Sequence, residues 1–541
     1  MTQVPMRSDR PRVFLIDDGR HASYLYQFEP PVTPEDVAFS VDQLANSGVD
    51  TLLLSVALEG GAATYDSRVA PKWGDNVDMW THSVWYRAAR NLRQMIADGH
   101  DPLQLVIERC REHGLWFFAG SWVNFEGGDR ETAGGLGRKT DFVYEHPQFQ
   151  VGEEEDPRAA GVNPCRFSFL HEAVREQRFV LFEELLTRYE TDGLDLDLAD
   201  HVPLSRFDEV DALAPVLTDW LRRLRRTADE AQKTQGRQKR LLVRIPADPA
   251  AWATLGYDVA TWVGEGIVDG LICLPGLMHA SVDTGVDLTA AVNIAAGTDC
   301  LVMSGFAQTL ARQTAQQATP PMVWAAAANA HSQGADAFGL ADACTFPDGW
   351  PWPAVQYDTW RLLGSPDLLA TVDKHYRVQS RGVRIPPTWL PGGDPPLPQA
   401  MEVGQPLVLE LRIADDLARW QQDGRVASVR LTVRISAIEA SLNAVEISLN
   451  DRVLPEELLA LNDLNYRLTA NGAVSPYGYV YEFDLPPEYH PRRGINTVVI
   501  LLRQRDPNIS LAFEVYDVDC HIRYRRHRNF RRGPLAQDSS L

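Results

Sequence analysis

The feature that most constrains this 541-residue chain is an alternation of strand-like and helix-like stretches across its first two-thirds. Apolar runs suited to buried strands stand at Val13–Asp17, Thr51–Ala57, Leu115–Ser121, Leu194–Leu198, Leu241–Ile245, Gly270–Leu274, Cys300–Gly305 and Ala335–Leu340. Helical spacing of apolar residues fills most of the gaps, over Pro34–Asn46, Pro102–His113, His171–Tyr189, Glu209–Gln232, Val259–Glu265 and Met322–Ser332. Strands joined through helices pair in parallel and are covered by those helices. Eight such units in about 360 residues predict a (β/α)8 barrel, with an open doubly wound sheet as the competing arrangement. No GxGxxG or GxxxxGK[ST] follows any strand, which counts against nucleotide binding.

The fourth unit carries the most chemistry. Its helical stretch ends at Gly193, and in the strand Leu194, Leu196 and Leu198 alternate with Asp195 and Asp197. Residues i and i+2 of a strand share a face, so the two acids project together, opposite the leucines. Two further stretches, Glu59–Pro102 and Asn124–Leu170, are long, rich in Gly, Trp and acids, and read as extended connections. In a barrel they follow the second and third strands and lie on the C-terminal face, where active sites collect.

The composition changes beyond Arg377. Ile385–Gln399, IPPTWLPGGDPPLPQ, is too rich in Pro and Gly for regular structure and reads as a linker. Strand-like runs follow at Leu407–Ile413, Val426–Ile435, Ala444–Leu449, Gly478–Phe483, Thr497–Leu502 and Ser510–Val515, as expected of an all-β sandwich. The expected organisation is a barrel over 1–380, a linker over 381–400, a sandwich over 401–525 and a basic, polar tail over 526–541.

A net charge of −21 argues against a general nucleic-acid or anionic-membrane binder. The first residues, MTQVPMRSDRPRVF, lack the apolar core of a secretory signal, and nothing downstream approaches 18 uninterrupted apolar residues. The six cysteines show no CxxC or CxxH spacing and read as buried free thiols. A cytoplasmic protein is expected.

Several stretches, in order, resemble the bacterial family-10-glycosyl-hydrolase-like proteins, which are TIM barrels often followed by a β-domain. They are ATYDSRVAPKWGDN (Ala63–Asn76), GLWFFAGSWVNFEG (Gly114–Gly127), DGLDLDLADHVPLSRF (Asp192–Phe207), LLVRIPAD (Leu241–Asp248), YDVATWVGEGIVDGLICLPG (Tyr257–Gly276) and GADAFGLAD (Gly334–Asp342). The resemblance covers roughly residues 12–365. In the C-terminal part, EISLNDRVL and RGINTVVILLRQR are similar to strands of galactose-binding-like sandwiches. Two departures stand out. Relatives tend to read acid-x-Asp-Phe-x-Arg-His at the fourth strand, whereas this chain places Asp200 in the arginine slot before His201. Its seventh strand, CLVMSGFA, lacks the carboxylate that family-10 xylanases use as nucleophile.

The resemblance implies a carbohydrate substrate, and glycoside hydrolysis needs two carboxyl groups in different protonation states. Asp197 and Asp195 are the candidate catalytic pair, with Asp197, nearer the strand's C-terminal end, as proton donor. The other reading makes them barrel-interior carboxylates held by Arg244 on the next strand. Candidates for substrate binding are Asp18, Glu59, Trp122, Asn124, Asp200, His201, Arg244, Asp342 and Trp350, all at expected C-terminal strand ends or in the loops beyond. Trp122 is suited to stacking on a sugar and Asn124 to bonding its hydroxyls, with Asp17, Trp73, Trp80, Trp85 and Trp352 as further candidates nearby. No cofactor is called for and no metal is assigned, since the 13 histidines form no HxH or HExxH. The expected function is hydrolysis of an oligo- or polysaccharide. A barrel that binds carbohydrate without cleaving it, and a metal-dependent lyase or isomerase, are the alternatives.

Overall fold

The computed structural model describes residues 7–17, 23–275, 282–307, 309–311, 314–341, 352, 354–380, 395–463 and 478–525. Eight parallel strands close into a barrel: β1 (Val13–Asp17), β2 (Thr51–Ser55), β3 (Trp116–Trp122), β4 (Gly193–Asp197), β5 (Arg240–Pro246), β6 (Gly270–Leu274), β7 (Leu301–Ala307) and β8 (Ala337–Ala341). Each strand pairs with its sequence neighbours, and β8 closes on β1 through Val13↔Phe338 to Ile16↔Ala341. This is the expected (β/α)8 barrel, and the open sheet is excluded.

Its strands read as unbroken apolar runs because both faces are buried. One face packs on the helices, as with Leu194, Leu196, Leu241 and Val243. The other fills the barrel with Phe14, Leu53, Phe118, Leu242, Ile272 and Met303. Asp195 and Asp197 belong to this second set by parity, so two carboxylates enter an apolar interior. Gly193 opens β4 at φ +144°, and a Cβ there would lie 1.8 Å from Arg240 O.

The two long connections are more ordered than the sequence reading expected. The first contains a 15-residue helix, Ser83–Ala97, with Ala88, Ala89, Leu92 and Met95 buried. The second holds short helical turns, Arg130–Ala133 and Asp141–Glu145. The two are knitted together by backbone bonds such as Glu126 N to Glu59 O at 2.9 Å and Thr81 N to Gly135 O at 2.9 Å.

Two antiparallel sheets follow the barrel. One contains Lys374–Arg377, Val426–Ser436, Leu459–Asp463, Gly478–Asp484 and Glu514–Tyr524, and the other Pro406–Ile413, Ala444–Leu449, Arg452–Val453 and Gly494–Gln504. They enclose a core that includes Leu409, Leu431, Val433, Ile500 and Val518. The strand Lys374–Arg377 leaves the barrel side and pairs with Glu514–Tyr524. Asn329, on the barrel helix Pro320–Ser332, donates to Arg412 O at 3.0 Å and so joins the two parts. Residues 381–394 of the expected linker and 526–541 of the expected tail lie outside the described residues.

Among the described residues, no helix is long and apolar enough to cross a membrane. The five described cysteines are free thiols, Cys110, Cys273 and Cys520 buried and Cys165 and Cys300 half-buried.

Candidate site at the C-terminal mouth of the barrel

Register sets the first contacts. Asp197 lies between Trp122 on β3 and Arg244 on β5, and Asp195, one layer deeper, lies between Gly120 and Leu242. Gly120 makes room for the deeper acid, since a Cβ there would stand 2.6 Å from Asp195 O and 3.0 Å from Asp195 Oδ2. Arg244 serves both carboxylates. Its Nε donates to Asp195 Oδ1 at 2.9 Å, Nη2 donates to Asp195 Oδ2, and Nη1 donates to Asp197 Oδ2 at 3.1 Å. All three side chains are almost wholly buried.

The environments of the two acids differ. Asp195 has a two-point guanidinium clamp, the strongest geometry available to a carboxylate. Asp197 shares that cation and is pushed up from the usual carboxylate range. Burial is the main cause, the charges of Asp200 and Asp195 add to it, and Arg244 and the Asp200 amide oppose it. Its Oδ1 accepts from the Ala199 and Asp200 amides at 2.9 and 3.0 Å, which fixes the carboxyl where β4 turns outward.

Beyond β4 the chain makes a tight turn. His201 takes a left-handed backbone, φ +55°, and its amide is held by Asp200 Oδ1 at 2.8 Å. The His201 ring stands edge-on to Trp122 at 4.9 Å between centroids. Its Nδ1 lies 3.3 Å from Glu126 Oε2, at charge-contact distance but not at a hydrogen-bonding angle. Lys139 Nζ reaches the same carboxylate at 3.2 Å. Burial alone would raise the Glu126 carboxyl, but His201, Lys139 and Arg166 hold it far below its ordinary value. The Tyr257 hydroxyl donates to Leu198 O at 2.8 Å and closes the turn from the β5 side.

Other expected site residues take supporting positions. Trp122 is fully buried and presents no open face for a sugar to stack on. Asn124 donates to His201 O at 3.1 Å and Pro203 O at 3.0 Å, and its Oδ1 accepts from Phe125 N at 2.8 Å. It is a brace for the turn rather than a free ligand. Glu59 is clamped by Arg138 through Nε at 2.8 Å and Nη2 at 2.7 Å. Burial would raise its carboxyl, and Arg138 brings it below the ordinary value. Asp17 is buried at the end of β1, Trp73 is in the core, and Trp352 packs edge-on against Trp360 at 4.9 Å. Trp85 stacks on His82 at 4.9 Å and Trp80 tilts against Tyr86 at 5.7 Å. Asp18, Asp342 and Trp350 lie outside the described residues. Among the described residues, no group of three or more His, Cys, Asp or Glu is placed to hold a metal ion.

The structure adds residues that the sequence reading passed over. Glu126, Arg166 and Tyr257 join Asp197 and Asp200 at the mouth. Glu126 and Tyr257 lie within stretches that were already distinctive, WVNFEG and YDVATW. Arg166 carried no local signal, because its place depends on the pairing of Phe125–Gly127 with Cys165–Phe167.

No family model matches the chain, and no curated protein does. Similar solved structures include the α-L-fucosidase isoenzyme 2 from Paenibacillus thiaminolyticus, at 14% identity and a TM-score of 0.41 over 67% of this chain and 50% of that one. The glycoside hydrolase domain of PgaB from Bordetella bronchiseptica matches at 14% identity and a TM-score of 0.39, over 66% of this chain and 99% of that one. A maltogenic α-amylase, AmyB from Thermotoga neapolitana, matches at 9% identity and a TM-score of 0.38, over 91% of this chain and 98% of that one. The chain thus spans about half the length of the fucosidase it matches.

Proposed function

We propose that this chain hydrolyses glycosidic bonds of an oligo- or polysaccharide at the C-terminal mouth of its barrel, with Asp197 protonating the leaving oxygen. The observation that carries this reading is the divided environment of the β4 acids. Asp195 is locked on Arg244, while Asp197, at the mouth, is pushed toward its protonated form. Opposed environments for neighbouring carboxyls are the mark of an acid and its charged partner. Asp195 sits a layer deeper, so it acts through Arg244 by fixing the charge beside Asp197. Asp200 is the second carboxylate at mouth level. The motif order of the sequence supports placing the barrel with family-10-glycosyl-hydrolase-like proteins. The free thiols suit a reducing compartment, and we place the protein in the cytoplasm.

Release of reducing ends from a broad glycan panel tests the assignment. Asp197→Asn is expected to lose at least ~10²-fold in kcat/KM, the usual contribution of a positioned proton donor. Because the acid form is the working one, wild-type activity falls on the alkaline side as Asp197 ionises. Equal activity of variant and wild type would remove Asp197 from the mechanism.

One observation favours a second reading, a barrel that binds glycan without cleaving it. Both oxygens of Asp197 are already engaged, Oδ1 by two amides and Oδ2 by Arg244. Glycan binding by wild type and Asp197→Asn alike, with no cleavage by either, selects it.

A further inference from the structure

Arg166 poses a question that the hydrolase reading leaves open. Its Nε and Nη1 are closed off from solvent and make no hydrogen bond. The side chain stands among Asp200, Glu126 and Tyr257, at the mouth where Asp197 ends its strand. Those neighbours have other partners. Glu126 is in contact with Lys139 and His201, Asp200 accepts from the His201 amide, and the Tyr257 hydroxyl is given to Leu198 O. Two dehydrated, unused donors are unfavourable in the free protein, and an incoming acceptor relieves that cost.

The backbone holds Arg166 in this position. Gly127 N donates to Cys165 O at 2.9 Å and Phe167 N to Phe125 O at 3.1 Å, so the segment runs as a short ladder beside Glu126. On its other side Val151 N donates to Arg166 O at 2.6 Å. The guanidinium is therefore presented by a fixed frame, as a recognition group must be. His201 lies at the same mouth, and both its ring nitrogens are buried without a hydrogen bond.

We infer that the mouth is built for an acidic glycan, one whose sugar carries a carboxylate, and that Arg166 receives that carboxylate. A planar two-oxygen acceptor suits a planar guanidinium and takes the two donors that the protein leaves without a bonded partner. A single sugar hydroxyl offers one acceptor oxygen, whereas a carboxylate offers two in one plane. The assignment rests on the mouth being a glycan site, as proposed above, and makes Arg166 a specificity residue.

The test uses the full-length chain carrying Asp197→Asn, so that ligands are bound and not consumed. Tri-galacturonate, a hyaluronan tetrasaccharide and sialyl-lactose are each titrated against their carboxyl methyl esters by calorimetry. At least one acid is expected to bind ~10-fold or more tightly than its ester, the scale of a hydrogen bond to a charged group. Adding Arg166→Gln brings the acid down to the level of the ester. Arg166→Lys, which keeps the charge beside Glu126 and Asp200 but not the planar donor pair, loses the same preference, so the loss is not one of charge or folding. Equal binding of acid and ester, or a preference that survives Arg166→Gln, overturns the inference. So does a preference shown only by sulfated counterparts of the neutral sugars. Neutral glycans bound or cleaved without acid preference overturn this inference alone. Absence of any glycan binding or cleavage overturns it together with the hydrolase reading.

Discussion

Arg244 is the residue on which the polar interior of the barrel depends. It lies between two carboxylates that share its charge, and none of the three reaches water. Removing one partner of a buried ion pair costs more than the pair is worth, because the survivor remains charged and unpaired. Arg244→Gln leaves Asp195 buried without its clamp, while Asp197 keeps the Ala199 and Asp200 amides, so a loss of about 3–5 kcal/mol is expected by urea unfolding. Adding Asp195→Asn to that variant should recover part of the loss, as coupled neighbours are not additive. Equal midpoints for the single and double variants would show that Asp195 is not held by Arg244. Parity along DLD made this cluster legible in the sequence: acids on one face, leucines on the other, and an arginine in register on the next strand. Arg166 was not legible, because nothing near it in the chain says that Cys165–Phe167 will lie against Phe125–Gly127.

At the scale of elements, the barrel strands could be read because parallel strands buried on both faces leave continuous apolar runs. Their order then followed from right-handed crossovers between neighbours. The helix Ser83–Ala97 lies inside a stretch whose Gly, Trp and acid content reads as a long connection, although its buried positions Ala88, Leu92 and Met95 keep helical spacing. In the sandwich, the last strand was expected over Ser510–Val515 and is found at Glu514–Tyr524. Asp517 and Asp519 lie on that strand, and Arg434 and Arg377 on neighbouring strands meet Asp517 at 2.5 and 2.9 Å. The turn after β4 supplies the prediction at this scale. Asn124 alone satisfies two carbonyls of the turn and one amide of its own loop. Asn124→Ala leaves those groups buried and unpaired, at about 1–3 kcal/mol. Deuterium exchange should rise first at the amides of 198–207, with the sandwich unchanged. Uniform exchange across the chain would mean that Asn124 does not brace the turn locally.

For the whole molecule, the question is how the sandwich is held on the barrel. The contact is both apolar and polar: Ala325 of the barrel helix packs into the sandwich core, Thr284 Oγ1 accepts from Arg377 N at 2.9 Å and donates to Arg377 O at 3.0 Å, and Arg412 meets Asp287 at 3.3 Å. Asp283 sits at this junction with its Oδ1 on Gly285 N at 2.7 Å. Burial pushes its carboxyl up to about 6, against the pull of the Gly285 amide, Arg412 and Arg377. A raised carboxyl makes stability depend on pH in a definite direction. Below pH about 4 the group is protonated in both folded and unfolded chains and contributes nothing. Between about 4 and 6 the unfolded chain releases the proton while the folded one keeps it, so stability falls as pH rises and stays lower above that window. The cost at neutral pH is no more than about 3 kcal/mol, since each pKa unit is worth about 1.4. Asp283→Asn keeps an acceptor for the Gly285 amide and removes the titration. The variant should therefore match wild type near pH 4 and exceed it at pH 7, in paired thermal unfolding curves. If the difference between them does not change with pH, Asp283 is hydrated at the junction and the sandwich is docked without a titrating group.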